Sequence, residues 1–324
     1  MENVLEVRNL SVTFHAITGE VQAVRDISFD LHKGSVTAIV GESGCGKSVT
    51  SKSIMGLIKK PGEISPESKI IFQGENIQEY TKKQWEEYRG QKCSICFQDA
   101  LTALNPTMTI GKQIMEKIRV HKKVTKKEAW NEAVHMLELV GIPNPEYRMR
   151  QYPHEFSGGM RQRVMIAIAM TLNPALLIAD EPTTALDVTV QADILDMMKE
   201  IQKQHGMSVL LITHDLGIVA NFATEIIVMY AGKVVEQGSA EDIFYRPRHP
   251  YTKALLRAVP RLDMEEEQLE TIEGAPPNMA HPPKGCPFEA RCKYHQEICG
   301  EAFPDKTTMS EGHDVCCWLR KEDA

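Results

Sequence analysis

The chain has no long apolar run: ALLIA (175–179) and SVLLIT (208–213) are among its longest. A membrane-spanning helix needs roughly 20 such residues, so no segment is expected to cross a bilayer. Positive charge is not in excess either, since 37 Lys and Arg against 44 Asp and Glu leave a net charge of −7. That balance removes the electrostatic basis of non-specific nucleic-acid binding, and no nucleic-acid partner is expected. The opening MENVLEVRNL lacks the basic start and apolar core of a secretion signal and alternates like a strand, which points to a cytoplasmic protein. In that compartment the eight cysteines are not expected to form disulfides. No internal repeat is present.

Several kinds of segment follow one another along the chain. VLEVRNLSVTF, AVRDISFDL and SVTAIVG read as strands, and SVTSKSIMGLI continues as a helix after a glycine-rich turn. From about 111 to 145 the pattern is charged and helical (GKQIMEKIRV, KKEAWNEAVHMLELVG), ending at Gly141 and Pro143. ALLIAD and SVLLITHD then return as strands with the helical VQADILDMMKEIQKQHG between them, the alternation of a parallel sheet with crossover helices. After about 246 come RPRHPYTKALLRAVPRL, acidic DMEEEQLE and proline-rich GAPPNMAHPPKG, and a short tail holds Cys286, Cys292, Cys299, Cys316 and Cys317. A boundary is therefore expected near 245, separating 1–245 from 246–324.

Gly41-Glu-Ser-Gly-Cys-Gly-Lys47-Ser48 fits G-x-x-x-x-G-K-[ST] in a strand–loop–helix setting. The glycines let backbone N–H groups converge on phosphate oxygens, and the helix that follows adds its positive end. Lys47 is placed for the β and γ phosphates and the Ser48 hydroxyl for Mg²⁺; Ser43, Gly44, Cys45, Gly46 and Val49 complete the cradle. ALLIADEP ends a buried strand in Asp180 and Glu181, where ligands of α/β sheets bind. Asp180 suits the Mg²⁺ shell and Glu181 suits the general base for water.

With FQD (97–99), FSGGM (156–160), LLIADEP (176–182), ALD (185–187) and ITHD (212–215) following the phosphate loop in order, residues 1 to about 245 resemble the ATP-binding-cassette ATPases. The resemblance implies an α/β P-loop NTPase core with an N-terminal antiparallel β subdomain, an inserted helical subdomain at about 100–170 and a small cysteine-rich C-terminal domain. It also implies ATP and Mg²⁺ as ligands. Gln98 resembles the glutamine that reaches Mg²⁺ and the attacking water, and His214 the histidine at the γ-phosphate. Phe14 resembles the aromatic that stacks on adenine. Ser157, Gly158 and Gly159 open a helix and form a second anion site. In the family this site closes over the ATP of a facing ATPase subunit, and Asp187 crosses that interface. FSGGM departs from the usual LSGGQ only at Phe156 and Met160, and Cys45 inside the loop reads as a small filler.

RHPYTKALLRAVPRL (248–262), IEGAPPN and GCPFEARC extend the resemblance to ATPase subunits of dipeptide and oligopeptide importers, with nickel importers of the same group as the alternative. That implies two transmembrane permease subunits, an external peptide-binding protein, a second ATPase subunit, with a different chain favoured and a second copy of this one as the alternative, and a peripheral place on the cytoplasmic face of the membrane. QDALTALNPTMTIGKQI resembles the surface that receives the permease's coupling helix. A soluble cassette working without a permease is disfavoured by the single cassette and the acidic balance. Four thiolates hold either zinc or an iron–sulfur cluster, and the tail lacks the tight C-x₂₋₄-C pairs usual for structural zinc. The importer resemblance implies a [4Fe–4S] cluster on Cys286, Cys292, Cys299 and Cys317, the H-x-V-x-C pattern at His313 favouring Cys317 over Cys316. The cluster is expected to be structural, because nothing in the sequence brings the cysteines near the nucleotide.

Overall fold

The computed structural model describes residues 2–16, 19–184, 186–258 and 271–319. The acidic DMEEEQLE segment, the preceding VPRL and Ala185 of the ALD motif lie outside the described residues. The chain forms two compact units: a helical unit of Met1–Val4, Leu31–Ser35 and Glu79–Leu211, and a phosphate-loop unit of Leu5–Asp30, Val36–Gln78 and Ile212–Ala324. The composition change near 245 falls inside the second of these.

In the phosphate-loop unit the long strands Asn3–Ala16 and Gly19–His32 are neighbours in an antiparallel sheet. Lys69–Phe72 pairs with the first strand, Leu5 opposite Phe72, and Gly62–Ile64 pairs farther along, Phe14 opposite Gly62. Alternation buries Leu5 and Val7, and Asn9, with φ at 51°, then adds one residue so that Leu10 and Val12 are buried in turn. A second set of strands carries the phosphate loop. Val36–Val40, buried at all five positions, runs parallel to Glu225–Tyr230, as expected of a continuous apolar run covered on both faces. Glu225–Tyr230 pairs antiparallel with Lys233–Ser239. Beyond it come His313–Val315 and Thr307–Ser310, so the cysteine-rich tail adds the outer strands of this sheet.

The helical unit holds the strands Cys93–Cys96 and Leu176–Asp180 in parallel register, with Cys93 opposite Leu176. Its main helices are Ile110–His121, Lys126–Leu139, Gly158–Met170 and Val188–His205. Each begins where a side chain or loop residue ends the extended backbone. Thr125 and Glu128 form a reciprocal capping box, Ser157 accepts from Met160 N–H, and Asp187 accepts from Val190 N–H. Gly206, with φ at 62°, terminates the last of them.

Candidate functional site

The phosphate loop joins the buried Val36–Val40 strand to the helix Lys47–Ile54. Only glycine fits at two of its turns. A Cβ at Gly41 would stand 2.1 Å from Met229 O at φ +151°, and one at Gly46 2.5 Å from Ala23 O at φ +103°. Lys47 is buried, with Nζ donating to Gly41 O at 2.7 Å and Glu42 O at 3.0 Å. Ser43 and Gly44 are exposed at the loop's rim. Cys45 is buried, and burial raises its thiol pKa despite Lys47 beside it, in keeping with a filler. Ser48 and Val49 are half-buried at the first turn of the helix.

The helical unit brings Gln98 and Glu181 together. Gln98 Nε2 donates to Glu181 Oε2 at 2.8 Å, and Thr184 Oγ1 donates to the same oxygen at 3.0 Å. Glu181 sits at φ 49°, a left-handed conformation that a non-glycine residue adopts only when its surroundings impose it. Asp180, at the end of its strand, is 5% exposed. A carboxylate oriented at a strand end by donors such as these can accept a proton from water, which is the chemistry of a general base.

The remaining expected residues lie at exposed element ends. Ser157 and Gly158 open the helix Gly158–Met170 and are exposed, so its N-terminal N–H groups face outward. Asp187 is exposed at the cap of Val188–His205, and His214 is exposed just after the strand Ser208–Thr213. Phe14 is half-buried, and its ring lies against Gly62, where an added Cβ would stand 2.7 Å from Phe14 Cε1.

In the tail, Cys286, Cys292, Cys299 and Cys317 line one cavity with Phe288, Trp318 and His249. Cys316 lies elsewhere, lining a separate pocket with Lys233 and Asp314. Backbone N–H groups of Phe288, Tyr294 and Leu319 bond to the sulfurs of Cys286, Cys292 and Cys317, and Gln296 N–H lies 3.5 Å from Cys299 Sγ. Burial pushes Cys286 up to about 12, and the neighbouring thiols add to the rise. His249 Nδ1 accepts from Tyr251 N–H at 3.0 Å, which leaves the proton of the neutral ring on Nε2. Burial lowers this histidine to about 4, and its Nε2 is buried without a hydrogen-bond partner. Among the described residues no group of three or more His, Cys, Asp or Glu is arranged to hold a metal ion, so neither the expected [4Fe–4S] cluster nor the zinc alternative finds support there.

Comparison with known proteins places this geometry. The ABC transporter family profile matches residues 24–184, and that of the oligopeptide/dipeptide transporter C-terminal region matches residues 235–299. The chain is 53% identical to the dipeptide transport ATP-binding protein DppD of Bacillus subtilis, over 100% of this chain and 97% of that one. The chain belongs to the ABC transporter family. It is also 49% identical to the oligopeptide transport ATP-binding protein OppD of Haemophilus influenzae, over 99% of each chain. Among solved structures, cbiO1 of Clostridium perfringens, part of the transporter complex cbiONQ, superposes with a TM-score of 0.65 at 28% identity, covering 76% of this chain and 92% of that one. A dimeric ATP-binding cassette bound to ADP and phosphate shares the fold at a TM-score of 0.66 and 24% identity, over 73% and 98% of the two chains. The ABC ATPase fold, with its N-terminal antiparallel sheet and helical part, is thereby established for this chain.

Sequence reasoning passed over several residues of this ABC protein. Arg291, beside Cys292, bonds to Glu42 of the phosphate loop, and Tyr251 of the HPY triplet accepts from Glu42 N–H. Glu236 is fully buried and accepts from Arg248 N–H, His249 N–H and His313 Nε2. The one signal for His313 was the H-x-V-x-C spacing, which carried no hint of its partner. Arg291 had none at all.

Proposed function

We propose that this ABC protein is the ATP-hydrolysing subunit of an importer of dipeptides or oligopeptides. The observation that carries the reading is identity near 50% over essentially the whole chain to dipeptide and oligopeptide transport ATP-binding proteins, the C-terminal region included. Lys47 and the loop amides bind the ATP phosphates, and Ser48 and Asp180 hold Mg²⁺, which offsets phosphate charge when bound. Glu181 takes the proton of the attacking water, Gln98 orients Glu181 and the water, and His214 contacts the γ-phosphate. Phe14 stacks on adenine. Ser157, Gly158 and Gly159 act on the ATP of a facing ATPase subunit, with Asp187 at that interface, and the exposure of Ser157, Gly158 and Asp187 supports this role.

No helix among the described residues is long and apolar enough to cross a membrane, so separate permease subunits supply the path, and the chain sits peripherally on the cytoplasmic face. A groove of about 800 Å³ in the helical unit, lined by Met108, Met115, Trp130 and Met149, supports docking of a permease helix there. Flexible methionines suit such a site. An external binding protein delivers the peptide, and the facing ATPase is a different chain.

The tail fits a [4Fe–4S] cluster better than a single ion. Each thiolate of a cubane binds a different iron, so the four stand around a cavity, as Cys286, Cys292, Cys299 and Cys317 do, and backbone N–H groups already serve their sulfurs. The unpartnered His249 Nε2–H, on a residue lining the same cavity, is a further donor for such a group. When bound, the cluster cross-links a tail with little core of its own, from residues 286 to 317. The test of the whole reading is reconstitution with two permeases, a binding protein and a second ATPase subunit of a peptide importer. Peptide-stimulated ATP hydrolysis and peptide uptake are expected. Stimulation by nickel and not by peptide would overturn the cargo.

A further inference from the structure

The C-terminal segment bonds Glu42, the second residue of the phosphate loop, from two sides. Tyr251 Oη accepts the Glu42 backbone N–H at 2.9 Å, and Arg291 Nη1 donates to Glu42 Oε2 at 2.9 Å. Glu42 O in turn accepts from Lys47 Nζ at 3.0 Å. The Arg291 side chain is 6% exposed and every contact around it is directional: Nη1 also donates to Tyr230 Oη, Nη2 to Ile272 O and Nε to Glu273 O. Beneath this guanidinium lie Tyr230, Tyr251 and Phe288, with ring centroids 4.6 to 5.3 Å apart.

A buried guanidinium so fully bonded is set up to hold one geometry on its half-buried partner Glu42, and a lysine in place of Arg291 has too few planar donors to reproduce it. The residues that hold Glu42 are chain neighbours of residues that line the cysteine cavity. Arg291 ends the turn Glu289–Arg291, whose flanks are Cys286 and Cys292, and Tyr251 is two residues from His249, which lines the cavity.

We propose that Arg291 and Tyr251 are positioning residues for the phosphate loop: the C-terminal extension holds Glu42, and through it the loop that Lys47 closes, so that ATP affinity depends on the extension. The inference rests on the proposed ATPase reading. It also revises the expectation that the cysteine site is remote from the nucleotide, because one turn joins Cys292 to the loop.

The test is equilibrium binding of a fluorescent ATP analogue with Mg²⁺ to the full chain and to Arg291→Met, Glu42→Gln, the double variant and Tyr251→Phe. Visible absorbance and thiol titration on each sample report the state of the cysteine site. Losing a hydrogen bond to a charged group is expected to weaken binding about tenfold in each of the first two variants. The double variant is expected to be no weaker than the weaker single one, since both remove the charge pairing of the same contact. Tyr251→Phe removes only the hydroxyl, and a smaller loss of the same kind is expected. Glu42→Gln alters one atom of an intact side chain, so it decides the matter even if Arg291→Met fails to fold. Unchanged affinity in Glu42→Gln, or losses that multiply in the double variant, would overturn the proposal. Failure of the unsubstituted chain to bind the analogue would instead overturn the ATPase reading.

Discussion

Gln98 and Glu181, 83 residues apart in sequence, meet at 2.8 Å with the amide donating to the carboxylate. The bond fixes the direction of the Glu181 side chain, and its φ of 49° shows that the strand end is held away from relaxed backbone. Glu181→Gln is therefore expected to lower ATP turnover by about 10² to 10⁴ while nucleotide binding persists, because the amide keeps the shape but cannot accept the proton of water. Single-turnover hydrolysis measured beside nucleotide binding separates the two. Turnover within a few-fold of the unsubstituted protein would assign the base elsewhere.

Much of this site was readable before any coordinates, for a physical reason. A phosphate cradle needs consecutive backbone N–H groups and a strand-end acid needs one buried apolar run, so Gly41 to Ser48 and Leu176 to Glu181 carry their chemistry in unbroken stretches. The order of the short motifs did the same for Ser157 and His214. Contacts set by tertiary packing left no such trace. Arg291 and Glu42 are 249 residues apart, and nothing about an arginine beside a cysteine predicts its partner. Phe14 illustrates the middle case: its position in the strand was legible, and its packing against Gly62 came only from the pairing of Phe14 with that residue. The helical segments were placed by period, whereas the division into two units follows long-range contacts that period does not encode.

Two glycines with positive φ separate a functional constraint from a structural one. A Cβ at Gly46 meets Ala23 O at 2.5 Å, whereas at Gly206 nothing lies within 4 Å. Gly206→Ala is expected to lower stability by roughly 1–2 kcal/mol, the cost of left-handed backbone in an L-residue, with nucleotide affinity retained. Gly46→Ala has to displace backbone that carries the loop, so nucleotide binding is expected to be lost. Urea denaturation read alongside nucleotide binding checks both. Equal effects of the two on affinity would contradict the assignment.

Ser157 and Gly158 present their helix end to the outside, which suits the proposed use of that end by a facing chain. Ser157→Arg is expected to leave ATP binding to this chain's own phosphate loop intact and to remove turnover at the facing chain's site in the assembled transporter. Mixing Ser157→Arg with Lys47→Ala identifies the facing chain. If the partner is a different subunit, each variant assembles with the unaltered partner, and the mixture's hydrolysis is the weighted mean of the two variants alone. Hydrolysis above that value would mean that two copies of this chain face each other, since only then does one sound site form from two damaged ones.

The adjacent thiols of Cys316 and Cys317 offer the sharpest test of the tail. Cys317 lines the cavity with Cys286, Cys292 and Cys299 and accepts a backbone hydrogen bond from Leu319, whereas Cys316 lies in a pocket with Lys233 and Asp314. Successive residues of an extended segment face opposite ways, so the two cannot exchange roles without re-registering the strand His313–Val315 against Lys233–Ser239, to which His313 is fixed by its 2.8 Å bond to buried Glu236. Protein purified without oxygen is expected to carry about four irons and a brown visible band. Cys317→Ser is expected to lose most of both, and Cys316→Ser neither. Stoichiometric zinc without iron in the unsubstituted protein would exclude the cluster, and equal iron loss in both variants would show that the register does not choose the ligand.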